Sequence, residues 1–211
     1  MLIIIFLNKF NYINMTQLKK NIAILSSGSG NSSKKLLENI NKLNSTINLI
    51  ITNRSDSLII ELAKKYKISY IYLPKKKNIS NIDYDTQLLN ILKLFNIDFI
   101  FLIGYMRIIT PILINTFKNK IFNIHPSLLP KYKGLMDLDI HESVIQNNDL
   151  CTGCTLHIVD EIVDTGKIIL QKKLSVSTKD KYELKKQIQI LENECIFECV
   201  QSIENNTLPI N

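Results

Sequence analysis

Short apolar runs alternate with amphipathic stretches along most of the chain, and this alternation constrains the fold more than any other feature. Residues 21–25, 47–52, 69–73 and 98–103 read as strands. The unbroken Asp-Phe-Ile-Phe-Leu-Ile of 98–103 marks a strand buried on both faces. Between these runs, 33–43, 58–66 and 84–95 read as helices; Leu36, Leu37 and Ile40 share one face of the first, and Leu88, Leu89, Leu92 and Phe95 one face of the third. Such alternation predicts a mostly parallel sheet with helices on both sides. Further on, the pattern predicts a short helix over 111–117, a strand over 120–124, a loop through Gly134 and a helix over 140–146. Strands over 155–159 and 168–176 and a long helix over 181–203 complete the reading. No repeat or linker interrupts it. The expected fold is therefore α/β, a single Rossmann-like domain over 20–211 with a mostly parallel sheet flanked by helices.

Residues 1–19 stand apart from this pattern. The apolar start, Met1 to Phe10, has no basic stretch before it, no small-residue cleavage site after it, and is too short to span a bilayer. Met15 offers a second start, so the segment is expected to be a loose extension or a start-site artefact. Composition adds limits rather than answers. With 45% hydrophobic and 21% charged residues, the chain can bury a core and is not disordered as a whole. The net charge of +7 comes from scattered lysines without an aromatic-basic cluster, which argues against a nucleic-acid partner. No membrane partner is expected, and the expected compartment is the cytoplasm, with an organellar address left open.

Two cysteine pairs attract attention. Cys151-Thr152-Gly153-Cys154 has redox or zinc spacing, and Cys195 and Cys199 lie four apart on the last helix. The second pair lacks knuckle spacing, so four reduced thiols and no metal are the expectation.

A glycine turn, Gly28-Ser29-Gly30-Asn31-Ser32, follows the first strand and opens a helix, an arrangement whose backbone N–H groups can cradle a phosphate. A dinucleotide site would also want glycine at Ser33 and an acidic residue after the second strand, where Thr52-Asn53-Arg54 stands. A nicotinamide cofactor is thereby disfavoured, and a phosphate monoester remains. The other informative stretch is Asn123-Ile124-His125-Pro126-Ser127-Leu128-Leu129-Pro130, at the carboxyl end of a strand. Alternation along a strand points Asn123 and His125 the same way. An amide donor beside an imidazole suits a carbonyl oxygen that gains negative charge.

This last stretch, with Gly104-Tyr105-Met106-Arg107-Ile108 before it and Asp160-Glu161-Ile162-Val163-Asp164-Thr165-Gly166 after it, resembles the folate-dependent formyltransferase family, and within it the branch whose acceptor is glycinamide ribonucleotide. The resemblance spans about residues 20 to 205. It implies the formyltransferase fold, 10-formyltetrahydrofolate as co-substrate, glycinamide ribonucleotide as acceptor, no metal, and a monomer or homodimer. It assigns Asn123, His125 and Asp164 to catalysis. The folate would be flanked by Met106, Arg107, Ile108 and Ile109 on one side and by Asp160, Glu161, Ile162, Val163 and Asp164 on the other, with Asn123 at its formyl group. The acceptor would meet Gly28, Ser29, Gly30, Asn31 and Ser32, together with Gln189 and Glu192 on the last helix. His157 matches a histidine near the site.

The sequence also departs from the family. The turn usually reads Gly-x-Gly-Ser-Asn or Gly-x-Gly-Thr-Asn, whereas here Asn31 precedes Ser32. A folate-contacting arginine of some members falls near Asn81, with Lys75 to Lys77 close in sequence. The expected chemistry is direct attack of the acceptor amine on the formyl carbon, with Asn123 and a protonated His125 stabilising the oxygen and Asp164 raising the imidazole's pKa. Other members of the superfamily fit less well: methionyl-tRNA formyltransferase adds a C-terminal domain and formyltetrahydrofolate deformylase an N-terminal one. A non-catalytic folate- or phosphate-binding protein would not need the trio, and an RNA-binding module would show steep salt dependence.

Overall fold

The computed structural model describes residues 19–209, so most of the N-terminal extension expected over 1–19 lies outside the described residues. Seven strands form one sheet: β1 (Asn21–Leu25), β2 (Thr46–Thr52), β3 (Ser69–Tyr72), β4 (Phe99–Leu102), β5 (Ile121–His125), β6 (Cys151–Ile158) and β7 (Ile168–Ser175). Their order is β3-β2-β1-β4-β5-β6-β7. The first five strands pair in parallel, and β6 and β7 add on antiparallel.

Burial on both faces explains the continuous apolar runs. Along β1, Ile22 and Ile24 enter one core and Ala23 and Leu25 the other. Strand β4 repeats this, with Phe101 on one side and Ile100 and Leu102 on the other. The helices α1 (Lys34–Glu38), α2 (Ile59–Lys65), α5 (Leu138–Gln146) and α6 (Lys181–Glu204) cover the first face; α3 (Asn81–Leu94) and α4 (Pro111–Thr116) cover the second. Winding starts at β1, runs outward to β3, then returns to β4 on the other flank of β1. The loops leaving β1 and β4 therefore diverge and open a crevice at the strands' carboxyl ends, where open α/β sheets bind ligands.

Three expectations need correction. The helix expected over 33–43 is broken into a 3₁₀ turn at Asn31–Ser33, the five residues of α1, and a second 3₁₀ turn at Ile40–Lys42. At the break Asn39 leaves the helical region with φ −108° and ψ 18°, and its side-chain amide donates to the Lys35 carbonyl at 2.8 Å beside its own backbone N–H at 3.2 Å. In contrast, α3 begins three residues before the expected 84, because Ser80 caps it by accepting from the Asp83 N–H at 3.0 Å. Replacing Ser80 with alanine is expected to cost about 1 kcal/mol, read as a lower denaturant midpoint at unchanged slope. Finally, β6 begins at Cys151 rather than 155, so the cysteine pair lies within a strand. Residues three apart on a strand face opposite ways. Accordingly Cys151 is exposed while Cys154 is buried, with its sulfur 3.6 Å from that of Cys195. Contact with Cys195 and burial push the Cys154 thiol up, which disfavours the thiolate that redox chemistry or metal binding needs. Among the described residues, no group of three or more His, Cys, Asp or Glu is arranged to hold a metal ion.

Candidate active site

A cleft of about 250 Å³ opens over the carboxyl ends of β1, β4 and β5. Strand β5 delivers Asn123 and His125 to its floor, as alternation requires. Asp164 arrives from the loop between β6 and β7, held in the left-handed region with φ 55°. Its carboxylate lies between two imidazoles: Oδ2 is 3.4 Å from His125 Nδ1, and Oδ1 is 3.5 Å from His157 Nε2. The Gly134 N–H donates to Oδ2 at 2.9 Å, tying the carboxylate to the loop after β5. Thus three residues from distant parts of the chain meet at one point.

His157 contributes more than proximity. Its Nδ1 faces the Ile158 carbonyl at 2.8 Å and so carries the proton in the neutral ring. Nε2 can then accept from Asn123 Nδ2, 3.1 Å away. This fixes which way the Asn123 amide points and leaves its second N–H for the cleft.

The charge state of His125 departs from expectation. Burial lowers the imidazole's pKa, and the nearby Asp164 charge only partly offsets this. The ring is therefore neutral at physiological pH before charge builds up in the cleft, not already protonated. Both of its nitrogens nonetheless face acceptors, since Nε2 lies 3.3 Å from the Tyr132 carbonyl. Burial works against the charged form of Asp164 as well, but contact with the His157 imidazole, the hydrogen bond from the Gly134 N–H and any positive charge on the two rings hold its carboxyl below the usual range.

The glycine turn lines the same cleft, from Gly28 through Ser32. Gly30 takes φ 72°, and a Cβ there would come within 2.9 Å of Ile59, so this position requires glycine. Asn193 on α6 secures the turn: its amide donates to the Asn31 carbonyl and accepts from the Lys35 N–H, both at 2.8 Å. The departure at Asn31-Ser32 also has a structural outcome. The Ser32 hydroxyl donates to the Glu192 carboxylate, joining the turn directly to α6. Burial pushes Glu192 up to about 7 despite this bond.

A carboxyl whose folded pKa lies above its unfolded value contributes stability at low pH that is lost as pH rises through the folded value. Stability is therefore expected to fall between about pH 5 and pH 8, and Glu192→Gln to flatten that decline. Thermal midpoints across this range test the point; parallel wild-type and variant curves would refute it.

On the other side of the cleft, Met106, Arg107, Ile108 and Ile109 line the wall as expected, and so do Asp160, Val163 and Asp164. Glu161 and Ile162 do not; both are exposed at the loop's outer edge. Arg107 lies over the Tyr84 ring at 4.1 Å and reaches the Asn81 side chain at 3.3 Å. Lys75 to Lys77 are exposed and are not among the lining residues. Gln189 and Glu192 both line the cleft. Sequence reasoning missed Asp137, His141 and Lys185, which line it too. The available signal was spacing: Lys185, Gln189 and Glu192 fall at i, i+4 and i+7 of one helix.

Fold and site together define an enzyme of acyl transfer, with Asn123, His125 and Asp164 gathered at the switch point of a doubly wound sheet. A family model described as formyl transferase matches residues 20–200, and the chain belongs to that family. Phosphoribosylglycinamide formyltransferase of Haemophilus influenzae is 35% identical over 166 residues, covering 78% of this chain and 77% of that protein. The trifunctional purine biosynthetic protein adenosine-3 of Chironomus tentans is 33% identical over 198 residues; the match takes in 92% of this chain but spans only 14% of that longer protein. Among solved structures, the crystal structure of phosphoribosylglycinamide formyltransferase from Bacillus halodurans superposes with a TM-score of 0.81 at 34% identity, over 87% of this chain and 95% of that one.

Proposed function

We propose that this chain transfers the formyl group of 10-formyltetrahydrofolate to the amine of glycinamide ribonucleotide, giving the formylated ribonucleotide and tetrahydrofolate in purine synthesis. The observation that carries this reading is the convergence of Asn123, His125 and Asp164 in the same cleft as the glycine turn. The folate fits the side where Met106, Ile108 and Val163 offer apolar surface that is still exposed. A flat, partly apolar ring can cover that surface, and the arginine at 107 stands beside it. The acceptor's phosphate fits the glycine turn, with the sugar facing Gln189 and Glu192.

In the transfer, the acceptor amine attacks the formyl carbon, the bond from that carbon to the folate nitrogen breaks, and one proton passes from the amine to that nitrogen. Asn123 donates its free N–H to the formyl oxygen as negative charge grows there. His125 donates from Nε2, exchanging the Tyr132 carbonyl for the formyl oxygen. As the oxygen gains charge, the proton leaving the amine charges the ring, with Asp164 behind it, before passing on to the folate nitrogen. Asp164 also stands within reach to relay the proton, directly or through water. No covalent enzyme intermediate is required.

A spectral assay with purified protein, glycinamide ribonucleotide and a 10-formyl folate tests the reading. Folate product should appear only when the ribonucleotide is present. Equal rates without it would indicate hydrolysis instead, and no product at all would sink the assignment.

A further inference from the structure

One wall of the cleft carries a charge pair that the transfer step does not use. Lys185 shares a face of α6 with Gln189 and Glu192 and pairs with the carboxylate of Asp137. Asp137 precedes α5 with φ 49° and ψ −124°, a conformation that L residues rarely adopt. Both side chains remain partly exposed, so the pair adds little to stability and can open readily. Beside it, His141 is 1% exposed, and its Nδ1 has no hydrogen-bond partner among the described residues. This ring also lines the cleft. Burial, then the Lys185 charge, push it down to about 4, so it is neutral at physiological pH. A buried ring nitrogen without a partner is costly, and a ligand in the cleft can relieve that cost.

The acceptor side has a matching deficit of positive charge. The glycine turn opens onto a helix of five residues, too few peptide units for a large dipole. The ionisable side chain bonded to the turn is the Glu192 carboxylate, which is anionic above about pH 7. Arg107 is held over Tyr84, toward the opposite face of the sheet. A phosphate dianion would thus meet N–H donors and a carboxylate, while the cation on its own side of the cleft is neutralised by Asp137.

We propose that Lys185 is the acceptor-side cation of this cleft: Asp137 holds it in the absence of acceptor and yields it to the dianion, so the pair selects phosphorylated acceptors. His141 offers its free nitrogen to the uncharged part of the same ligand. The inference rests on the reading of the acceptor as a phosphate ester.

Charge selection and simple scaffolding predict different outcomes. If the pair only pinned the loop, Asp137→Asn and Lys185→Gln would act alike, since each breaks it. If Lys185 serves the dianion, the two act in opposite directions. The probe is ribose 5-phosphate, titrated calorimetrically into the full chain at low salt without folate, with unphosphorylated ribose as control. Asp137→Asn should tighten binding and Lys185→Gln weaken it, each by about three- to tenfold, and high salt should shrink both effects. Lys185→Arg should stay near wild type. Shifts in the same direction, or none in either variant, while the wild type binds ribose 5-phosphate and formylates glycinamide ribonucleotide, would overturn this inference alone. A wild type that binds no sugar phosphate would overturn the acceptor reading, and this inference with it.

Discussion

Replacing either Asn123 or His125 with alanine is expected to lower kcat for formyl transfer by about 10²–10³-fold, with KM for the acceptor changed far less. On the proposed mechanism each side chain directs a donor at an oxygen whose charge peaks in the transition state, so its loss weakens the transition state more than the bound ground state. The site makes the two losses interdependent. Asp164 contacts both His125 and His157, and His157 accepts from Asn123, so all four belong to one bonded group. The double variant should consequently fall well short of the product of the single effects. Steady-state kinetics on the three proteins check this, and near-normal turnover in both single variants would defeat the assignment. His157→Phe offers a sharper probe of positioning. It should lower kcat less than Asn123→Ala does, and should add little once Asn123 is already alanine.

The second large effect concerns folding. Gly153→Ala is expected to destabilise the protein by more than about 4 kcal/mol, or to prevent its accumulation in soluble form. A Cβ at Gly153 would sit 1.9 Å from the Lys172 carbonyl oxygen and 2.8 Å from a methyl of Leu128. The first of these is backbone of β7, which pairs with β6 along the whole length of both strands. Relief would require parting the two strands, with no rotamer change able to substitute. Gly28→Ala is the control, because a Cβ there meets nothing within 4 Å. That substitution should leave the unfolding free energy within about 0.5 kcal/mol of wild type, read from the denaturant midpoint at unchanged slope. Equal midpoints for the two variants would remove the argument.

Sheet and helices were readable in the amino-acid pattern to the extent that burial dictated it. Runs such as Phe99–Leu102 have both faces covered, so they must be apolar throughout. Boundaries set by single polar contacts were not readable. The bond from Asn39 to Lys35 at the end of the first helix depends on one side-chain rotamer. The start of β6 was hidden by a cysteine spacing that imitates a metal knuckle, because nothing local reveals that β7 will extend the pairing to Cys151.

The same division holds in the cleft. Asn123 and His125 follow from strand alternation, whereas Asp164 lies in a loop whose path no periodicity encodes, and only the resemblance pointed to it. Glu161 and Ile162 adjoin Asp164 in sequence, but the loop turns them outward. The neutral state of His125 was invisible because sequence shows which charges are nearby and not how much water has been displaced.

The short stretch from Gly134 to Asp137 carries a further consequence. Its first residue grips the reacting centre through Asp164, and its last grips the opposite helix through Lys185. Those four positions therefore join one lasting anchor to one that can open. A residue added or removed here would shift both anchors at once, whereas a side-chain exchange at Asp137 touches one of them alone.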